Sequence, residues 1–155
     1  MGHTVNSIVI NAPYELVFDI SNKIERWTEL FGDEYAKADV LERNDAKGTG
    51  NFEITFRLTD EEGKSWVSKR WLFKDLKFAY AQRWDPLFPF IYMKIVWYYT
   101  ETADGIKMTW IQDFEMDPKF TKFSAEQIEG FINKHSQDNM KIFKQVIEAE
   151  ALAAK

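Results

Sequence analysis

The chain has 155 residues and no cysteine, a length suited to one domain that buries roughly 70% of its unfolded-state surface. Disulfides, thiolate metal sites and thiol nucleophiles are therefore excluded, and packing has to hold the core. The net charge of −5, from 20 basic against 25 acidic residues, has the wrong sign for neutralising nucleic-acid phosphates or docking on an anionic membrane.

The N-terminal stretch MGHTVNSIVINAP has no basic region followed by a long apolar run, so no secretory signal is read there. The apolar stretch from Phe88 to Tyr99 is interrupted by Pro89 and Lys94 and is too short to span a bilayer. The expectation is a soluble cytoplasmic protein, with one domain over residues 1–155 and no internal repeat or linker.

Thr4 to Asn11 is β-branched and reads as a strand. Asn11-Ala-Pro13 then offers a cap and an N-terminal proline for a short helix, Tyr14 to Ile20. A second short helix after Asn22 carries Ile24, Trp27, Leu30 and Phe31 on one side. From about Ala36 to Met116 the period becomes two. Phe52, Ile54, Phe56 and Leu58 alternate with polar residues, and so do Ile106, Met108, Trp110, Gln112, Phe114 and Met116, the pattern of antiparallel strands with one wet face. Turn signals stand at Asn44 to Gly50, Asp60 to Gly63, Lys74-Asp75 and Ala103-Asp-Gly105. They imply about six strands after the two short helices, seven with the first. A long helix from Ser124 to about Ala153 closes the chain, with Ser124 and Gln127 in capping-box spacing and a stripe of Ile128, Ile132, His135, Asn139, Phe143 and Val146. The predicted architecture is α+β: a curved antiparallel sheet of about seven strands wrapped around a long C-terminal helix, with two short helices. A central cavity forms if the inward side chains do not meet.

Aromatic residues make up 16% of the chain, 13 Phe, 6 Trp and 6 Tyr, and periodicity alone does not say whether they fill a core or line that cavity. The strand Lys64 to Phe73 is ambiguous in the same way. With Trp66, Ser68, Arg70 and Leu72 inward, a guanidinium enters the interior; with Val67, Trp71 and Phe73 inward, Arg70 is an ordinary solvated arginine. Gln112 and Asn139 fall in otherwise apolar registers, either as core amides satisfied by backbone or as polar points in an aromatic pocket. His3 and His135 are the two histidines, with no acidic cluster at ligand spacing, so no metal site is expected. His135 packs on the helix, lies exposed or reaches the pocket mouth. Phosphate loops, nucleophile elbows and hydrolase triads are missing from the sequence.

Several segments together resemble the tetracenomycin-type aromatase/cyclases of bacterial type II polyketide synthases, in the START-like (SRPBCC) superfamily. They are Asn6 to Val17, Ile24 to Phe31 with Tyr35-Ala36, Trp66 to Arg70, Tyr92-Met93 with Trp97, Met108 to Phe114, and Asn139-Met140, in the same order over nearly the whole chain. The resemblance implies a helix-grip fold. It also implies a pocket in which a linear poly-β-ketone on an acyl carrier protein is cyclised by aldol condensation and dehydrated to an aromatic ring, without a cofactor and alongside other synthase components. Carried over by position, Arg70 and Tyr35 become the catalytic residues. Trp27, Phe31, Trp66, Ser68, Met93, Trp97, Trp110, Gln112 and Asn139 become the substrate-binding ones. Lys64 stands where the close relative has a further pocket tryptophan, and one residue is inserted before Tyr35. Lys119 and Lys122 before the last helix are candidates for a basic patch facing an acidic carrier. A non-catalytic helix-grip carrier of an aromatic or lipid-like molecule would need the same cavity, and an interaction module would have none.

Overall fold

The computed structural model describes residues 1–45 and 51–155. Its elements are β1 (Gly2–Ile10), α1 (Tyr14–Ser21), a 3-10 turn (Ile24–Arg26) running into α2 (Trp27–Leu30), β2 (Tyr35–Asp45), β3 (Phe52–Asp60) and β4 (Ser65–Phe73). A second 3-10 turn (Lys74–Leu76), β5 (Phe78–Asp85), β6 (Phe90–Thr102), β7 (Gly105–Met116) and α3 (Ala125–Ala153) complete the chain. All seven strands form one antiparallel sheet in the order β1-β7-β6-β5-β4-β3-β2. Consecutive strands are neighbours except that β1 pairs with β7, which is what two helices between β1 and β2 permit. The antiparallel sheet and long C-terminal helix expected from periodicity are present, in the helix-grip arrangement that the resemblance implies.

Local chemistry explains most boundaries. Asp60 accepts from the backbone N–H groups of Glu62 and Lys64 through its carboxylate, each at 2.9 Å, and so shapes the β3–β4 turn. Ser124 and Gln127 cap α3 reciprocally at 3.1 and 2.9 Å. The cap expected at Asn11 is not formed. Pro13 occupies the N-cap position of α1 with no side-chain bond, and the Asn11 N–H instead donates to the Glu148 carboxylate at 2.7 Å. Residues 46–50 of the turn expected from Asn44 to Gly50 lie outside the described residues.

Helix α3 is tied to one edge of the sheet. Asn6 donates to Asn133 at 3.0 Å and accepts from Gln137 at 2.7 Å, and Lys144 donates to the Val9 carbonyl at 2.6 Å. The His3 N–H donates to Glu129 at 2.8 Å. Residues 129, 133, 137, 144 and 148 follow helical spacing, so one polar seam runs along β1. The buried face beside it carries Ser136, Asn139, Met140, Phe143, Ile147 and Ala151; it shares Asn139 and Phe143 with the predicted stripe, whereas Val146 is half-buried and His135 exposed.

Both faces of the central sheet carry aromatics. On the outer face Trp71 stacks on Tyr80 (5.7 Å) and Phe73 on Phe78 (4.7 Å), so these residues do not point into the interior. The β6–β7 turn places Gly105 at φ 139°, and a Cβ there would lie 2.3 Å from the Ile10 carbonyl oxygen. Gly105→Ala is expected to cost about 2 kcal/mol through strain and steric overlap, read as a lower midpoint of urea unfolding.

Candidate active site

A cavity of about 310 Å³ lies between the inner face of the sheet and α3, within the usual size of small-molecule sites. The strand register builds it row by row. One row across the sheet runs Leu72, Ala79, Trp97, Trp110 and the next runs Ile54, Arg70, Ala81, Ile95, Gln112. Alanines at 79 and 81 leave room beside them for an indole and a guanidinium. Trp97 and Trp110 stack at 4.3 Å and 11°. Phe31 lies over Trp110 at 5.7 Å, and Trp27 approaches Trp97 at 5.7 Å.

Every site residue expected from sequence lines this one cavity. Arg70 is 1% exposed, so β4 turns the Trp66, Ser68, Arg70, Leu72 face inward. Its Nε and Nη2 donate to the Asn22 side-chain carbonyl at 3.0 and 2.8 Å. Asn22 is held in turn, donating to the Phe18 carbonyl at 2.9 Å and the Tyr99 hydroxyl at 3.0 Å, while Tyr99 shares a 2.8 Å bond with Ser21. The guanidinium lies over Trp97 at 4.1 Å and Trp27 at 5.4 Å. Burial pushes it down to about 10, far enough above neutral pH that it remains cationic. Among the described residues no carboxylate pairs with it, and Nη1 has no hydrogen-bond partner. A buried cation without a counter-ion is a binding site for developing negative charge on oxygen.

Tyr35 opens β2 with its ring against Phe31 (5.1 Å) and Trp66 (6.0 Å). Burial, reinforced by Glu34 and opposed by Arg83, holds its phenol well above the usual range, so it stays protonated at neutral pH. Ser68 and Met93 are buried beside it in the wall. On β7 three polar atoms, Thr109 Oγ1, Trp110 Nε1 and Gln112 Oε1, are buried without a partner among the described residues, and the last two belong to cavity-lining residues. Gln112 lies three strand spacings from Arg70, about 14 Å along the sheet. Asn139, on α3, donates to Glu34 Oε2 at 2.7 Å.

The polar residues at the site that were not anticipated include Asn22, Glu34 and Arg83, beside Gln82 and Ser136 in the lining. Asn22, the anchor of Arg70, reads as punctuation between helices. Glu34 lies in the connector before β2. Arg83 lies between Trp66 (4.8 Å) and Phe90 (5.5 Å) and donates to the carbonyls of Pro86 (2.7 Å) and Phe88 (3.0 Å). Ala79, Ala81 and Arg83 share the inward register of β5, a signal in the sequence that would have placed Arg83. The aromatic chain Phe88, Phe120, Phe123, Phe131 runs at centroid spacings of 5.9, 6.3 and 5.0 Å and joins the β5–β6 connection to α3 beside the cavity.

Asn22→Leu removes the acceptor of a buried cation and is expected to destabilise the fold by about 2–3 kcal/mol. Combining it with Arg70→Met should recover most of that loss, because both partners of the polar contact are then gone. Urea unfolding of the two single variants and the double variant measures the coupling.

No protein-family model matches the chain. A Streptomyces cyaneus protein named as a polyketide cyclase is 43% identical over 152 residues, spanning 95% of this chain and 94% of its own. A second of that name, from Streptomyces halstedii, is 43% identical over 115 residues, spanning 71% of this chain and 98% of its own. Among solved structures, the Zhui aromatase/cyclase of a Streptomyces species superposes with a TM-score of 0.68 at 16% identity, over 96% of this chain and 92% of that one. The di-domain aromatase/cyclase StfQ of the steffimycin pathway gives 0.70 at 10% identity, over 96% of this chain. The chain spans about half of that di-domain protein, 52%. A START superfamily protein of Mycobacterium smegmatis gives 0.65 at 12% identity over the full length of both chains, and these distant likenesses speak for the fold. On the strength of the two Streptomyces relatives, with the cavity and its buried arginine in place, the chain belongs to the polyketide cyclase family.

Proposed function

We propose that this chain is an aromatase/cyclase that folds a linear poly-β-ketone, delivered on an acyl carrier protein, and directs its aldol cyclisation and dehydration to an aromatic ring without a cofactor. The observation that carries the reading is Arg70: a cation sealed in an aromatic cavity, with no carboxylate partner among the described residues. Aldol closure converts a carbonyl into an alkoxide, and a fixed guanidinium stabilises that charge as it forms. Trp27, Phe31, Trp66, Trp97 and Trp110 form walls that restrict a flexible chain to conformers in which one carbon pair meets. Such orientation is worth up to about 7–11 kcal/mol in well-placed intramolecular reactions. The Trp110 N–H and the Gln112 amide are placed to hold carbonyls away from the reacting pair, and Ser68 and Asn139 to do so near it. The Tyr35 hydroxyl supplies a proton to the oxygen that leaves as water.

Reconstitution with a minimal polyketide synthase and identification of the product tests this reading. The wild-type chain should change the mixture from spontaneous products to one cyclised aromatic. Arg70→Met should lose that product by about 100-fold or more while keeping its circular dichroism spectrum. Full activity of Arg70→Met would overturn the role given to the arginine, and tight ligand binding without turnover by the wild type would identify a carrier instead.

Lys119 and Lys122 lie exposed between β7 and α3, next to Phe123, which packs on the cavity-lining Phe131. Reversing both to Glu is expected to slow turnover of carrier-bound substrate and leave binding of a free aromatic unchanged, because the chain as a whole is acidic and local basic charge has to receive the carrier.

A further inference from the structure

The reaction read above needs a base as well as an oxyanion site, and the groups around the cavity differ sharply in what they can do with a proton. Arg70 is cationic and only donates. Tyr35 rests as the protonated phenol, because burial disfavours the phenolate, so it can give a proton but not take one. Ser68, Trp110, Gln112 and Asn139 are neutral and have no useful basicity. Among the described residues lining the cavity, Glu34 is the one carboxylate.

Its placement is specific. After α2 the chain turns at Gly32, whose φ of 60° is left-handed, and the Glu34 N–H closes the turn on the Phe31 carbonyl at 3.1 Å. Glu34 thereby faces α3 immediately ahead of Tyr35. Asn139 holds Oε2 at 2.7 Å, and among the described residues nothing hydrogen-bonds Oε1. One oxygen is fixed and the other is available. Burial raises the carboxyl above its ordinary range, against the opposing pull of the Asn139 bond and His135, and a carboxylate so raised is a stronger base.

We propose that Glu34 is the proton acceptor of the cyclisation, oriented by Asn139, while Arg70 holds the oxyanion. This rests on the reading of the chain as a poly-β-ketone cyclase. A C–H bond of a methylene between two carbonyls breaks, its proton passes to Oε1, and the electron pair becomes the enolate. The enolate carbon forms the new C–C bond with a carbonyl carbon further along the chain. The π pair of that carbonyl becomes an alkoxide at Arg70, and the proton held by Glu34 returns to it. In the dehydration, a second methylene proton passes to Glu34, the hydroxyl departs as water with the Tyr35 proton as the double bond forms, and the proton on Glu34 then returns to the Tyr35 oxygen, so both groups are regenerated. His135 also lines the cavity, from an exposed position on α3, and is the rival base.

The test uses the full chain with the carrier-bound product of a minimal polyketide synthase, in wild-type, Glu34→Gln, Glu34→Ala and His135→Asn forms. Binding of 1,8-dihydroxynaphthalene is followed by equilibrium dialysis. Glu34→Gln and Glu34→Ala should lower the cyclisation rate by about 100-fold and leave binding of the naphthalenediol unchanged. Added formate should restore part of the rate to Glu34→Ala, which a merely structural defect would not allow, and His135→Asn should stay active. An active wild type with an equally active Glu34→Gln overturns the assignment alone, as does loss of activity in His135→Asn with Glu34→Gln unaffected. Loss of naphthalenediol binding by the Glu34 variants without formate rescue also overturns it, in favour of a structural carboxylate. A wild type that does not alter the product mixture overturns the cyclase reading and this assignment with it.

Discussion

A guanidinium enclosed by protein with no acid beside it is costly, several kcal/mol even after relaxation, and much of this fold can be understood as what makes Arg70 tolerable. The side-chain carbonyl of Asn22 accepts two of its N–H groups. Two indole faces lie against the cation, an interaction worth about 2 kcal/mol when desolvated. Delivering Asn22 requires the chain to leave the sheet after β1, run through α1 and end that helix over β4. The short helices are therefore part of the site as well as packing elements. Ala79 and Ala81 on the next strand clear the space, and Tyr99 and Ser21 fix the asparagine from behind. What this network does not supply is negative charge.

The second constraint is where α3 sits. Its polar seam with β1 anchors it along one edge of the sheet, while the inward residues of β4 to β6 opposite include two alanines and a serine. A helix held from one side over a sheet with small residues in its middle leaves a hollow, and the large aromatics close that hollow from the ends. Cavity size in this architecture is thus set by side chains of the sheet as much as by the helix, on which Trp97 and Trp110 pack through Phe143.

Element order, the number of strands, the α3 cap and the inward faces of β3 and β7 were legible from the sequence because each has a single apolar period. β4 was not, since Trp71 and Phe73 give its outer face as strong an aromatic signal as Trp66 and Leu72 give the inner one. Only the partners across the sheet, Tyr80 and Phe78 on one side and the cavity on the other, decide between them. The resemblance to known cyclases named the aromatic and polar lining because those residues fall in short local segments, most of them on regular elements. Asn22 and Glu34 escaped because they lie in connectors with no period, and each acquires meaning through a residue distant in sequence, Arg70 and Asn139. The misread cap at Asn11 has the same origin: its backbone N–H is claimed by Glu148 at the far end of the chain.

Of the six tryptophans, Trp27, Trp66, Trp97 and Trp110 line the cavity, whereas Trp71 and Trp84 belong to the outer surface. Trp97 and Trp110 lie nearly parallel at 4.3 Å, close enough for their electronic transitions to couple. The cavity wall is therefore also a chromophore, whose circular dichroism and emission would change if an aromatic lay against it. Arrival and departure of a ligand are written into the intrinsic spectrum of the protein, with no label attached.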